Sequence, residues 1–160
     1  MLENELLAQQ KRIDELETQV GNLNNNLQRL AMISKVDEKY PYWHTLVQYQ
    51  FSELQRLDLE FVLSIMSDRL SGIKIVVNSS DEQDDIPLGV DSEDRIISFQ
   101  KALKYPKVLF NNELPTLEEV QGIYKQLGIC NEHRTTVILK AMYDQGLYKK
   151  IIKQLLSIAD

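Results

Sequence analysis

Cys130 and His133 are the two residues whose types and spacing could support covalent chemistry. They stand three positions apart at the predicted start of a helix, where the helix dipole favours a thiolate over a thiol. A nucleophilic cysteine also needs a group that orients its base, and the sequence identifies no such third group. We therefore expect a small buried thiol beside a surface histidine, and we predict that the protein is not an enzyme. A cysteine enzyme using Cys130 is the least favoured alternative.

The sequence predicts no metal and no cofactor. The chain has one cysteine and two histidines, whereas structural zinc sites use about four ligands. A calcium loop that begins at Asp81 would need glycine at its sixth position and glutamate at its twelfth, and those positions hold Ile86 and Ser92. Glycine-rich phosphate-binding motifs are absent from the sequence. The second histidine, His44, lies among aromatic residues and is predicted to pack rather than to react.

The composition is typical of a folded, non-membrane protein. The net charge is −6, which opposes non-specific attraction to nucleic acid because that attraction depends on neutralising phosphates. No apolar run approaches the ~20 residues that span a bilayer. The N-terminus lacks the basic flank and apolar core of a signal peptide, and a single cysteine fits a reducing compartment. We expect a cytoplasmic location, with no membrane contact.

The element that organises the chain is its N-terminal stretch, predicted as a coiled-coil oligomerisation helix over residues 1–34. Apolar residues recur there at positions a and d of a heptad, and Gln9 is the one polar member of this seam. Isoleucine and valine at a with leucine at d favour a parallel homodimer, in which Arg12 would face the partner's Glu17. Antiparallel and larger oligomers, and a helix folded back on its own domain, stay open. The eight apolar seam residues are Leu2, Leu6, Ile13, Leu16, Val20, Leu23, Leu27 and Leu30.

The remaining chain predicts a helical domain over residues 40–160, so the fold class is all-α: a coiled-coil helix followed by a small helical bundle. Pro41 suits the first turn of a short helix, and Ser52 with Gln55 has the pattern of a capping box. The apolar face of the next helix is predicted to run from Leu54 through Leu57 and Phe61 to Leu70. Three further helices are predicted after Pro115, with boundaries at Gly128 and Gly146.

Residues 72–112 read as an insertion into this bundle. The β-branched run at 73–77 predicts a strand, and residues 107–110 predict a second that would pair with it in a two-stranded β-ribbon. Between them, helical periodicity is predicted to resume with Asp91 or Ser92 as the cap. The polar segment that holds Asp81, Glu82, Asp84 and Asp85 is predicted to be a loop.

Two segments resemble a known family. One follows the N-terminal helix and the other precedes the last helix; they read Asp37-Glu38-Lys39-Tyr40-Pro41-Tyr42-Trp43 and Ala141-Met142-Tyr143-Asp144-Gln145-Gly146-Leu147-Tyr148. With Arg12-Ile13-Asp14-Glu15-Leu16 in the first helix, they look like the YhaI-type family of small uncharacterised bacterial proteins. The resemblance covers most of residues 10–158 and departs at about 72–112. It implies an all-helical fold and no assigned enzyme activity.

The function predicted from these patterns is a homo-oligomeric interaction or regulatory module that binds another protein. One candidate surface is the acidic loop of Asp81, Glu82, Asp84 and Asp85, which would attract a basic partner such as a nucleic-acid-acting protein. The other is aromatic area from Tyr40, Tyr42, Trp43 and Tyr49, if the core leaves these side chains exposed. The alternative is a DNA-binding regulator whose helix-turn-helix spans 117–140, with Arg134 on the second helix and the coil pairing two half-sites.

Overall fold

The computed structural model describes residues 1–35, 37–79 and 89–159, and the chain forms two compact units, Met1–Gln50 and Phe51–Asp160. The fold is all-α with a small two-stranded parallel sheet, which confirms the predicted class. The division between the units falls after Gln50, so the short helix begun by Pro41 belongs to the first unit. The sequence had assigned this helix to the second domain.

The first unit consists of α1 (Leu2–Ile33) and α2 (Pro41–Gln48). The helix α1 is continuous through Gly21 and the asparagines at 24–26, although these residues are poor helix formers. It ends where Ser34 adopts an extended backbone, and Pro41 then occupies the first turn of α2 as predicted.

The second unit is built on α3 (Glu53–Leu70), whose predicted capping box between Ser52 and Gln55 is confirmed. The helix buries Leu59, Val62, Leu63, Ile65 and Met66, and it packs against the last helix of the chain and a short 3₁₀ helix. The remaining elements in chain order are β1 (Ile75–Val77), β2 (Arg95–Ile97), α4 (Phe99–Ala102), the 3₁₀ helix (Lys107–Phe110), α5 (Leu117–Gln126), α6 (Glu132–Asp144) and α7 (Lys149–Leu156).

Short-range end signals fix the three C-terminal helices. The side chains of Thr116 and Asn131 accept hydrogen bonds from the first turns of α5 and α6. Gly128 and Gly146 end those helices with φ angles of 69° and 91°, a region that only glycine adopts without strain. The predicted boundaries at both glycines are therefore confirmed.

The predicted strand pairing in the insertion is wrong. Residues 107–110 form the 3₁₀ helix, and β1 pairs instead with β2, in parallel, with Val76 opposite Ile96. A parallel pair needs a long connection, which residues 78–94 supply. The side chain of Asn112 bonds the backbone of Ile75 on β1 in both directions, at 2.8 and 3.4 Å, so it takes backbone groups that a second strand partner would use.

The predicted helix start at Asp91 or Ser92 is also wrong. Residues 95–97 are a strand, and α4 begins only after Ser98, whose side chain accepts a hydrogen bond from the Lys101 amide. Two neighbouring isoleucines, Ile96 and Ile97, fit a pleated ladder against Val76 and Val77 better than a helix turn. Tertiary pairing has overridden a weak helical pattern.

Candidate interaction surfaces

The a and d stripe of α1 is exposed to solvent along its whole length. The exposed fraction of its eight apolar side chains ranges from 44% for Leu16 to 80% for Leu2. Within the described part of the chain, nothing buries this stripe. Exposing a continuous apolar stripe to water is unfavourable. Such a stripe, at helical spacing, is typical of a helix that packs against another helix.

The hydrogen bonds that α2 and Gln50, two residues after it, make with α1 fall on one flank of that seam. The side chain of Gln50 donates to the Asn24 carbonyl at 3.4 Å and to the Gln28 side chain at 3.2 Å. His44 Nε2 donates to the carbonyl of Ala31 at 2.6 Å, one of the helix-end carbonyls without an intrahelical partner. Asn24 and Ala31 are heptad e positions and Gln28 is a b position. The a and d residues Leu27 and Leu30 remain about half exposed.

One ion pair within α1 lies at the surface. Arg12 lies 3.4 Å from Glu15, and both side chains are about half exposed or more. Such an ion pair contributes little and leaves Arg12 able to change partners. The contact of Arg12 with the partner's Glu17 stays a prediction.

The predicted aromatic surface is only partly available. Tyr42 is fully buried, so the prediction that it binds a partner is wrong. The buried face of α2 is Tyr42, Thr45 and Leu46, which share one side at three- and four-residue spacing. Trp43 and Tyr40 are 46% and 52% exposed and stay candidates for a partner surface.

The acidic residues Asp81, Glu82, Asp84 and Asp85 lie outside the described residues. Their attraction for a basic partner stays a prediction.

Cys130 is held as a thiol. Its sulfur is buried and lies 3.2 Å from the hydroxyl oxygen of Thr135. That hydroxyl donates its one proton to the Asn131 carbonyl at 2.9 Å, so the thiol must be the donor to Thr135. Burial raises the pKa of Cys130 above the ordinary thiol value. His133 is exposed, so the two residues of the candidate nucleophilic pair occupy different environments.

We expect Cys130 to react slowly with iodoacetamide at pH 7, at least about tenfold slower than in the same chain unfolded in denaturant. The rate should rise with pH through a midpoint above about 8.5, because the raised pKa delays formation of the thiolate. Mass spectrometry of the alkylated protein over a pH series measures this. A midpoint below pH 7 would contradict it and would favour the cysteine enzyme.

The segment with a helix-turn-helix outline is tied into the core of the second unit. Tyr124 on α5 is fully buried and its hydroxyl donates to the Leu59 carbonyl of α3 at 2.9 Å. Arg134 is exposed in the first turn of α6, two positions after the exposed acid Glu132. An acid in the same helical turn reduces the local positive charge on which attraction for phosphates depends. DNA reading through α6 stays a prediction.

A groove on the second unit was not expected from the sequence. It encloses about 850 Å³ between α3, α4 and Tyr105. Leu54 and Leu57, predicted to belong to the apolar face of α3, are 75% and 48% exposed and line this groove with Phe61. The apolar face of α3 is therefore longer than the part of it that is buried in the core. The sequence signal was present, but periodicity alone does not distinguish a core face from a groove.

Aromatic and charged groups order the groove wall. The Tyr105 ring centre lies 4.6 Å from that of Phe61, and its hydroxyl donates to Asp58 at 2.7 Å. Burial and the neighbouring carboxylate raise the pKa of Tyr105 well above its ordinary value. The ammonium of Lys101 lies 4.1 Å from the centre of the Phe61 ring, a cation–π contact.

Tyr148 lines the same groove with an unusual backbone. Its φ angle is 48°, in the left-handed region that a bulky residue rarely adopts. The side chain is half-buried, and burial raises its pKa. Strain of this kind persists only where the surrounding structure holds it, and it concentrates at binding sites.

The described residues contain no metal cluster and no membrane-spanning helix, and the chain matches no known protein. Within residues 1–35, 37–79 and 89–159, no group of three metal-ligating side chains could hold an ion, and no helix is long and apolar enough to cross a bilayer. No protein-family model, no curated protein and no solved structure matches the chain. The resemblance to the YhaI-type family therefore stays an expectation.

Proposed function

We propose that the protein is a non-enzymatic, homo-oligomeric interaction module of the cytoplasm. Its α1 pairs with α1 of a second copy as a parallel two-stranded coiled coil, and the helical second unit is presented to another protein. The observation that carries this proposal is the exposure of eight apolar side chains on one heptad seam. Chemistry at Cys130 is disfavoured by its buried, protonated thiol.

The energetics favour pairing over an isolated α1. A 32-residue helix is about 48 Å long. Burying one leucine or valine side chain contributes about 1.5–3 kcal/mol, and association costs about 4–15 kcal/mol in lost freedom. Eight apolar seam residues on each of two helices can offset that cost. Pairing also stabilises the stretch around Gly21, where intrinsic propensity is low.

The position of α2 favours a dimer over larger assemblies. Two-stranded coils bury mainly a and d, whereas coils of more strands also bury e and g positions. In this chain His44 of α2 contacts the e position Ala31, which is only 7% exposed, and Gln50 just after α2 contacts the e position Asn24. That flank is occupied within the protomer, while Leu27 and Leu30 remain available.

Disulfide trapping tests the proposal and the strand direction together. In a parallel, in-register dimer each d residue faces its own counterpart, at a distance that a disulfide can span. We expect Leu16→Cys, in a Cys130→Ser background, to form a covalent dimer on mild oxidation, measured by non-reducing electrophoresis.

The matched control is Lys11→Cys, an f position on the outer face of the same helix, which should stay monomeric on the gel. Equal trapping at both positions would indicate random collision. A lack of trapping at Leu16, in a chain that sediments at twice its mass of 18.6 kDa, would contradict the parallel register.

A further inference from the structure

The groove of the second unit has an apolar floor that the described chain leaves uncovered. Leu54, Leu57 and Phe61 stand at i, i+3 and i+7 on α3, so they form a ridge along about two turns of helix. The first two are exposed by 75% and 48%. A ridge of this spacing fits the apolar face of a second helix better than an extended strand.

The charges of the groove are unevenly compensated. Of its two acids, Asp58 accepts the hydroxyl of Tyr105 at 2.7 Å and Glu60 is paired with Arg56 at 2.8 Å. On the opposite side, Lys101 stands over the Phe61 ring, and Lys104 forms no ion pair within the described residues. The α4 edge of the groove therefore offers two ammonium groups that pair with no carboxylate of the described residues.

We propose that this groove binds an acidic amphipathic helix of a partner protein. Apolar side chains of that helix, at three- and four-residue spacing, pack on Leu54, Leu57 and Phe61. Carboxylates on one flank of the helix pair with Lys101 and Lys104. Tyr148 lines one part of the groove, where the surrounding structure holds its backbone in the left-handed region. The inference adds a partner class to the proposed function, and it does not depend on self-association.

The probe for this inference is a fluorescein-labelled peptide of about 16 residues, with leucine at every third or fourth position and glutamate and alanine elsewhere. A matched peptide carries lysine in place of every glutamate. Fluorescence anisotropy with the full chain measures both. We expect the glutamate peptide to bind at least about tenfold more tightly than the lysine peptide, and to lose affinity as salt rises.

Two variants of the full chain test the geometry. Lys104→Glu and Leu57→Asp should each weaken binding of the glutamate peptide at least about tenfold. Leu114→Asp is the matched control, because Leu114 is 69% exposed and lies outside the groove. It should change the affinity less than about twofold, and circular dichroism checks that each variant is folded.

A seam variant separates this inference from the proposed function. The double variant Leu16→Glu, Leu23→Glu should bind the glutamate peptide as the unmodified chain does, whatever its oligomeric state. Equal binding of both peptides, no binding at millimolar protein, or equal losses in Lys104→Glu and Leu114→Asp would each overturn the docking site. None of these results would bear on self-association through α1.

Discussion

We expect that replacing Leu16 and Leu23 with glutamate abolishes the proposed dimer and leaves a monomer. Both side chains occupy d positions, so a parallel dimer of the double variant would bury four carboxylates against one another. Burying ionised groups without partners costs several kcal/mol, which corresponds to at least about a thousandfold weaker association. Sedimentation equilibrium at micromolar concentration measures the change. The mass should fall to the single-chain value of 18.6 kDa.

The control for this prediction uses the same helix and the same chemistry on other faces. Leu7 and Met32, at b and f positions, are 68% and 67% exposed, as fully as the seam residues. Leu7→Glu with Met32→Glu should leave the dimer intact, because these side chains stay in water when a and d pair. Dissociation in both double variants, or a monomeric parent chain, would contradict the coiled coil.

Replacing Arg69 with alanine will lower the free energy of unfolding by about 3–5 kcal/mol. The guanidinium is fully buried and forms two hydrogen bonds with the Glu119 carboxylate, at 2.7 and 3.1 Å. It also donates twice to the Glu113 carbonyl, at 3.0 and 2.9 Å, and once to the Leu109 carbonyl at 3.2 Å. One side chain of α3 thus connects the 3₁₀ helix, the loop after it and α5. Its loss leaves a largely buried carboxylate without a counter-ion.

Chemical denaturation followed by circular dichroism measures this loss. Arg69→Lys should recover only part of the stability, because an ammonium group cannot donate the paired, coplanar hydrogen bonds of a guanidinium. The control is Lys140→Ala on α6, whose ion pair with Asp144 is about half exposed on both sides; it should cost no more than about 1 kcal/mol.

A double variant identifies the cause. Arg69→Met combined with Glu119→Gln should be more stable than Arg69→Met alone, because it removes the orphaned charge. If adding Glu119→Gln lowers stability further, the buried pair does not account for the effect.

Local structure was predictable because its signals are short-range. The starts of α2, α3, α5 and α6 follow from Pro41, Ser52, Thr116 and Asn131, each acting within three or four residues of its own position. The end positions Gly128 and Gly146 are equally local. The seam of α1 is a repeat along one helix, so its face could be read before any tertiary contact was known.

The candidate sites were less predictable, because exposure depends on what packs above a residue. Tyr42 and Trp43 are neighbours of similar chemistry, and the structure buries the first and exposes the second. Leu57 and Leu59 are both apolar residues of α3, yet one lines an open groove and the other is fully buried. The sequence gives the spacing of such residues, but it does not show whether another part of the chain packs against them.

The sequence by itself determined the six longer helices, the residues that begin or end most of them, and the apolar stripe of α1, because these depend on residues a few positions apart. Only the tertiary structure decided that β1 pairs with β2, that Arg69 connects α3 to Glu119, and that Leu54 and Leu57 line a groove. These outcomes join residues far apart in the chain. Each depends on whether hydrogen bonds or apolar burial offset the entropy lost in closing a long loop. No local pattern encodes that balance.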